Sequence, residues 1–240
     1  MRIALIGYGK MGKMIEALAQ SRDHEIVLRI GKDTIHEFTS ENLKKADVAI
    51  EFTSPDSAFD NVTKCLQHGL PVVSGSTGWN NQLNAAKEIC LSNNTSFIHA
   101  SNFSIGVNIF FEVNKFLARL MNTQKNYDVS IEELHHTEKK DAPSGTAVSL
   151  AEQVMANIDR KTGWINEQAA SPEQISIISK RVDPAPGTHY VKYSSEIDEI
   201  EIVHTAHSRK GFALGAIMAA EFILGKKGVF TMADVLQIGK

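Results

Sequence analysis

The sequence is poor in the residues that mark specialised classes, with two cysteines, two tryptophans and six prolines among 240 residues. Cys65 and Cys90 fit neither a disulfide framework nor a zinc spacing, so both read as small buried hydrophobes. No stretch approaches the ~18 apolar residues of a membrane span. The apolar part of Met1-Arg2-Ile3-Ala4-Leu5-Ile6-Gly7 is too short for a signal peptide. Charge of one sign is not in excess: 25 Lys+Arg against 28 Asp+Glu leave −3, with no block of like charges. That balance argues against nucleic-acid and membrane partners and leaves a soluble, cytoplasmic protein as the expectation. What is present is a 42% hydrophobic content, enough at this length to bury a core without staples.

Hydrophobic patterning predicts two kinds of architecture along the chain. Ile3 to Ile6 is a continuous apolar run, followed by Gly7-Tyr8-Gly9-Lys10-Met11-Gly12 and then by Met11, Met14, Ile15, Leu18 and Ala19 at helical spacing. Strand-like runs recur at 26–30, 48–53, 71–74 and 96–99, separated by helical stretches; Ser54-Pro55-Asp56 predicts a capped helix start. Alternating β and α elements of this kind predict an α/β, Rossmann-type doubly wound parallel sheet. After Asn102 a long helix leads into the alternating strand 127–134. A helix from about Ser144 and strands near 175–179, 189–193 and 199–207 follow, an α+β unit. Phe212, Gly215, Ala216, Ala219, Phe222 and Ile223 then mark a small-residue helix suited to close packing on a sheet. The expected division is 1–103, an inserted domain over 104–208, and a return to the first domain over 209–240.

Gly7-x-Gly9-x-x-Gly12 stands where a dinucleotide fingerprint must stand, directly after a buried strand and opening a helix. The first glycine permits the turn, the second lets backbone approach a pyrophosphate, and the third allows close helix packing; Tyr8, Lys10 and Met11 complete the turn. At the end of the second strand, where Asp or Glu commonly meets the ribose hydroxyls, the chain reads Ile30-Gly31-Lys32. Lys32 can neutralise a 2′-phosphate, or be a plain solvated lysine, so NADPH or dual use of NADPH and NADH is expected. Gly75, Ser76 and Thr77 after the fourth strand and Ala100, Ser101, Asn102 and Phe103 after the fifth lie on the same carboxyl edge, where open α/β sheets bind ligands.

The densest polar cluster runs from Glu133 through His135-His136, Lys139 and Asp141 to Ser144-Gly145-Thr146. Neighbouring residues of a strand face opposite ways, so His135 and His136 are poor joint metal ligands and no metal is expected. The backbone of Ser144, Gly145 and Thr146 at a helix start suits a carboxylate or phosphate, and Lys139 offers both a cation and a proton.

These segments, with Asn102-Phe103-Ser104-Ile105-Gly106-Val107-Asn108 and Phe212-Ala213-x-Gly215-Ala216, resemble the 4-hydroxy-tetrahydrodipicolinate reductase (dihydrodipicolinate reductase) family of the diaminopimelate route to lysine. The resemblance spans nearly the whole chain, and its His-His to Gly-Thr segment is the family-specific part. It implies an NAD(P)H-binding Rossmann domain and an inserted substrate-binding and tetramerisation domain. His135 is then the acid/base group and Lys139 the proton donor, with His136, Ser144, Gly145 and Thr146 on the carboxylates of a dianionic cyclic imine. It places the cofactor on the first glycine turn, Gly75 to Thr77 and Ala100 to Phe103, and it implies a homotetramer. Three positions depart from the family pattern: the missing acid after the second strand, Gly187-Thr188-His189 for Gly-Glu-His, and Thr205 where a basic residue is common. A different Rossmann dehydrogenase for an amino acid or semialdehyde, or a non-catalytic NADPH sensor, would share the glycine turn without needing the second cluster.

Overall fold

A computed structural model describes residues 1–238 and divides the chain into two compact units, Met1–Ile105 with Lys210 onward, and Gly106–Arg209. In chain order the elements begin with β1 (Arg2–Ile6), α1 (Lys10–Gln20), β2 (Glu25–Ile30), α2 (Ser40–Leu43), β3 (Val48–Glu51), α3 (Pro55–Gln67), β4 (Val72–Ser74), α4 (Leu83–Ser92) and β5 (Ser96–His99). Then come α5 (Ile105–Met121), β6 (Asp128–His135), α6 (Gly145–Met155), β7 (Gly163–Ile165), β8 (Gln174–Arg181), β9 (Thr188–Ser194) and β10 (Glu199–Thr205). The chain closes with α7 (Lys210–Ile223), β11 (Gly228–Phe230) and α8 (Met232–Leu236).

The first unit is a six-stranded parallel sheet in the order β11-β5-β4-β3-β1-β2. The inner strands β1, β3, β4 and β5 are mostly apolar and buried because both faces of the sheet are covered. Along β1, Ala4 and Ile6 join Leu28, Val62, Leu66 and Phe97 on one face, while Ile3 and Leu5 join Ile15, Ala216 and Ala220 on the other. The order reverses between β1 and β3, the switch point at which sheets of this type leave a crevice.

Three sequence expectations are corrected here. The expected strand 48–53 ends at Glu51, because the amide of Thr53 turns to the Glu51 side chain instead of the ladder. Ser54 occupies the N-cap of α3, yet its hydroxyl meets Ser57 Oγ at 2.9 Å and no backbone amide; Pro55 at the first position supplies the helix start. The sheet gains the edge strand β11, three residues too short to carry a periodic signal.

The second unit is a mixed five-stranded sheet in the order β10-β9-β6-β8-β7, with β6 antiparallel to β9 and parallel to β8. Sequence reading predicted four strands; the fifth, β7, is again only three residues long. Along β6 the residues Val129, Ile131, Glu133 and His135 are buried, whereas Ser130, Glu132 and Leu134 alternate toward the opposite, partly exposed face. The buried side packs on Ala147, Leu150, Ala151 and Val154 of α6 and on Phe110 and Ala118 of α5. No helix among the described residues is long and apolar enough to cross a membrane.

The helix α7 packs on α1 and on strands β3 to β5 with a face of Ala213, Gly215, Ala216, Ala219 and Ala220. A Cβ on Gly215 would stand 1.8 Å from the carbonyl oxygen of Phe103, so only glycine permits this approach. Gly215→Val therefore destabilises the first unit by about 3 kcal/mol, the upper range for overpacking. Urea unfolding followed by circular dichroism checks this, and an unchanged midpoint would refute the packing argument.

Candidate active site

In the first unit the glycine turn links β1 to α1. Gly7 has φ +99°, and a Cβ there would lie 2.0 Å from the carbonyl oxygen of Phe52, so the β1 and β3 tips touch backbone to backbone. A Cβ on Gly12 would meet the Gly7 carbonyl at 2.4 Å, which is the close helix packing expected of the third glycine. Above Gly9, by contrast, nothing lies within 4 Å. Gly9 is the N-cap of α1, makes no side-chain cap, and no acid stands in the first turn. An open glycine at an uncapped helix start fits the pyrophosphate of a dinucleotide. Tyr8 turns its hydroxyl to Glu16, which also pairs with Arg29. Lys10 is exposed and Met11 half-buried at the helix start, while Lys32 is exposed after β2.

The two further loops expected at the cofactor are only partly surface. Gly75 lies against the ring of Phe52, 2.1 Å from where a Cβ would stand. Ser76 is 5% exposed: its hydroxyl donates to Glu51, and its carbonyl accepts from the Trp79 indole at 2.8 Å and contacts His99 at 2.9 Å. Thr77, Ala100 and Ser101 are at least partly exposed, and the Asn102 side chain accepts the Ser104 amide at 2.9 Å. Phe103, expected among the cofactor contacts, is 1% exposed and packs on Phe52 with ring centroids 6.0 Å apart. Its apolar ring belongs to the core, so it walls the loop from beneath.

In the second unit the chemistry gathers where β6 ends. Glu133 and His135 share the inward face, two residues apart, and Glu133 is completely buried. Its carboxylate accepts the Ser144 amide at 3.1 Å and lies 3.3 Å from the Arg181 guanidinium. His135 Nδ1 at 3.4 Å and His189 Nε2 at 3.6 Å complete its surroundings. Burial by itself would raise the Glu133 pKa; the neighbouring His189 and the hydrogen bond from Ser144 outweigh it and hold the carboxyl well below the ordinary range. For His135 burial prevails over the pull of Glu133 and pushes the imidazole down to about 4.

His136 follows the strand, half-exposed, with Arg209 donating to its Nε2 at 3.3 Å. Lys139 bonds both carboxylate oxygens of Asp141 at 2.7 Å. Arg181 braces this loop by donating to the backbone carbonyls of Lys139 and Asp141. Ser144 is the N-cap of α6: its hydroxyl accepts the Ala147 amide at 3.2 Å and meets His189 Nε2 at 3.2 Å. Because its own amide already bonds Glu133, Ser144 organises the helix start, while Gly145 is exposed with open space where a Cβ would stand.

Sequence reasoning passed over Glu133, Arg181 and His189 as site residues. The two-residue period of a strand would have placed Glu133 beside His135, but Arg181 and His189 reach the site only through pairing of β8 and β9 with β6. Gly187, in the segment that departs from the family pattern, has φ +151°, and its missing Cβ leaves room for His135 Nε2 at 3.1 Å. Atoms of Glu133, His135 and His189 do converge within 4.8 Å of one another. The Ser144 amide and the Arg181 cation already engage that carboxylate, which makes the cluster a hydrogen-bonded charge network.

A glycine turn opening a helix at the switch point of a parallel sheet, with acid and base side chains grouped in a second unit, defines a two-unit nucleotide-dependent oxidoreductase. The sequence matches the family models for the N-terminus and C-terminus of dihydrodipicolinate reductase over residues 1–103 and 106–236. The chain belongs to the dihydrodipicolinate reductase family. It is 50% identical over 236 residues to the 4-hydroxy-tetrahydrodipicolinate reductase of Christiangramia forsetii, covering 98% of each chain. It is 35% identical to the enzyme of the same name from Thermosipho africanus, over 99% of this chain and 98% of the relative. Among solved structures, a dipicolinate-bound dihydrodipicolinate reductase from Paenisporosarcina sp. TG-14 superposes with a TM-score of 0.76 at 25% identity, covering 98% of both chains.

The depressed His135 pKa has a thermodynamic consequence. Between the ordinary value of 6.5 and about 4, the unfolded chain takes up a proton at this position that the folded chain refuses. The associated stability is therefore intact above pH 6.5 and is lost as the pH falls through that window. Measured by urea unfolding at pH 7 and pH 4.5, His135→Gln loses about 2 kcal/mol less than the wild type. Equal losses would show that the buried imidazole does not resist protonation.

Proposed function

We propose that this protein catalyses the NAD(P)H-dependent reduction of (2S,4S)-4-hydroxy-2,3,4,5-tetrahydrodipicolinate to 2,3,4,5-tetrahydrodipicolinate, with loss of water, in cytoplasmic lysine biosynthesis through diaminopimelate. The observation that carries this reading is the second unit's grouping of Lys139, the exposed start of α6 and the buried His135 on one polar turn. A cyclic substrate with two carboxylates needs fixed donors, and Gly145 and Thr146 offer the backbone of a helix start, joined by His136 and Lys139. When bound, the reduced nicotinamide supplies the hydride. Lys139 delivers the proton that balances it, and Asp141 keeps the ammonium oriented until substrate arrives. His135, held neutral near pH 7, acts as a hydrogen-bonding and proton-accepting neighbour.

Gly7, Gly9 and Gly12 with the start of α1 receive the cofactor's pyrophosphate, and the loops 75–77 and 100–103 receive its reactive end. The exposed Lys32 after β2, where no carboxylate stands at the tip, favours NADPH or use of both cofactors. The homotetramer expected from the family is supported by the partly exposed face of the second sheet. It is supported also by an apolar stripe on α5 of Ile109, Val113, Phe116 and Leu120, all exposed.

Two measurements test this reading. Mixed with the product of dihydrodipicolinate synthase, the purified protein oxidises NADPH in a substrate-dependent way, and Lys139→Ala lowers kcat by about 100-fold or more. No oxidation beside an active synthase sinks the activity, and an unchanged kcat in the variant removes Lys139 from the proton-donor role. Running the assay with NADH as well reads out cofactor preference. In solution the mass is four times the 26.4 kDa chain, and a monomer at micromolar concentration contradicts the tetramer.

A further inference from the structure

Glu51 is a second buried carboxylate, and neither the glycine turn nor the acid–base cluster uses it. It ends β3 in the centre of the first sheet and is 1% exposed. It forms no ion pair with a lysine or arginine among the described residues; hydroxyl and amide donors surround it instead. One oxygen accepts the Thr53 amide at 2.8 Å, the Thr53 hydroxyl and the Ser76 hydroxyl at 2.6 Å, and the other accepts the Ser74 hydroxyl at 2.6 Å. Ser76 in turn accepts the Thr53 amide at 2.8 Å, and the Gly75 amide donates to the Glu51 carbonyl at 2.9 Å. A carboxylate without a countercation is costly to bury, and an apolar residue would serve the core better. The geometry therefore points to a task at the edge where the two tips meet.

We infer that Glu51 is the positioning residue of the cofactor site, fixing the backbone of Gly75 to Thr77 through Ser76 against the β3 tip at Thr53. The inference rests on the reading of the first unit as the cofactor site. It assigns Glu51 no contact with cofactor or substrate. Its effect passes through Ser76, whose side chain is turned inward and whose carbonyl is held by Trp79 and His99. With the carboxylate gone, the loop loses its central acceptor and the cofactor loses a preorganised surface.

Cofactor affinity in a double-mutant cycle tests this. NADPH binding, measured by fluorescence titration, weakens about tenfold in Glu51→Gln and by a similar factor in Ser76→Ala. Because the two residues act on one tie, Glu51→Gln/Ser76→Ala binds no more weakly than the weaker single variant. The KM for the imine stays within twofold of the wild type in all three. Independent, multiplicative losses overturn the inference, since a general structural defect would compound. So does a Glu51→Gln protein that binds NADPH as the wild type does. If Glu51→Gln fails to fold, Ser76→Ala with Thr53→Val replaces it in the cycle, because Thr53 is the other end of the same tie. A folded wild type that binds no NADPH overturns the cofactor reading itself, and this inference with it.

Discussion

A carboxylate with no exposed surface organises the second unit. Glu133 cannot be hydrated, so every element around it must bring a donor or a cation. The start of α6 brings the Ser144 amide and β8 brings Arg181, while His189 from β9 and the neutral His135 of β6 lie 3.6 and 3.4 Å away. Three strands and a helix start are thereby held to one point. Removing any one donor would leave a buried charge partly unpaired, a large penalty, and this is why the geometry around His135 is so strongly determined.

The same interaction divides labour among the polar groups. Burial makes His135 a neutral imidazole, while the exposed loop beyond it carries the charges, Lys139 with Asp141, under the brace of Arg181. Low-dielectric surroundings hold the buried groups, while Lys139 stays partly exposed and tied to Asp141. In the first unit the logic is repeated with backbone: Gly7 and Gly12 allow strand, turn and helix to approach within contact distances that any side chain would prevent.

How much of this was legible depended on whether the signal was local. The β–turn–α start was readable because Ile3 to Ile6, the glycines and the helical stripe are contiguous, and the doubly wound class followed. The six-strand count was not, because β11 comes after the second unit in sequence and has three residues. Around the acid–base cluster, His135 to Thr146 stood out as one run of polar residues. Glu133 was visible there without its meaning, since its partners arrive by strand pairing from β8 and β9. The position of Phe103 on the carboxyl edge says nothing of which way its ring turns; in the fold the ring packs into the core beside Phe52. Glu51 carried no signal at all: an acid closing an apolar strand reads as a strand end until its four donors are seen.

The late arrival of α7 and β11 has a consequence for the order of events during synthesis. When residue 209 has been made, the second unit is complete, whereas the first still lacks the helix that covers Ile3, Leu5, Val48 and Ile50. That apolar sheet face then waits, with α1 but without α7 against it, until residues 210–223 have been made. The nascent chain thus passes through a stage in which the inserted unit can be finished before its host. A chain broken off there leaves the apolar residues that α7 would cover exposed.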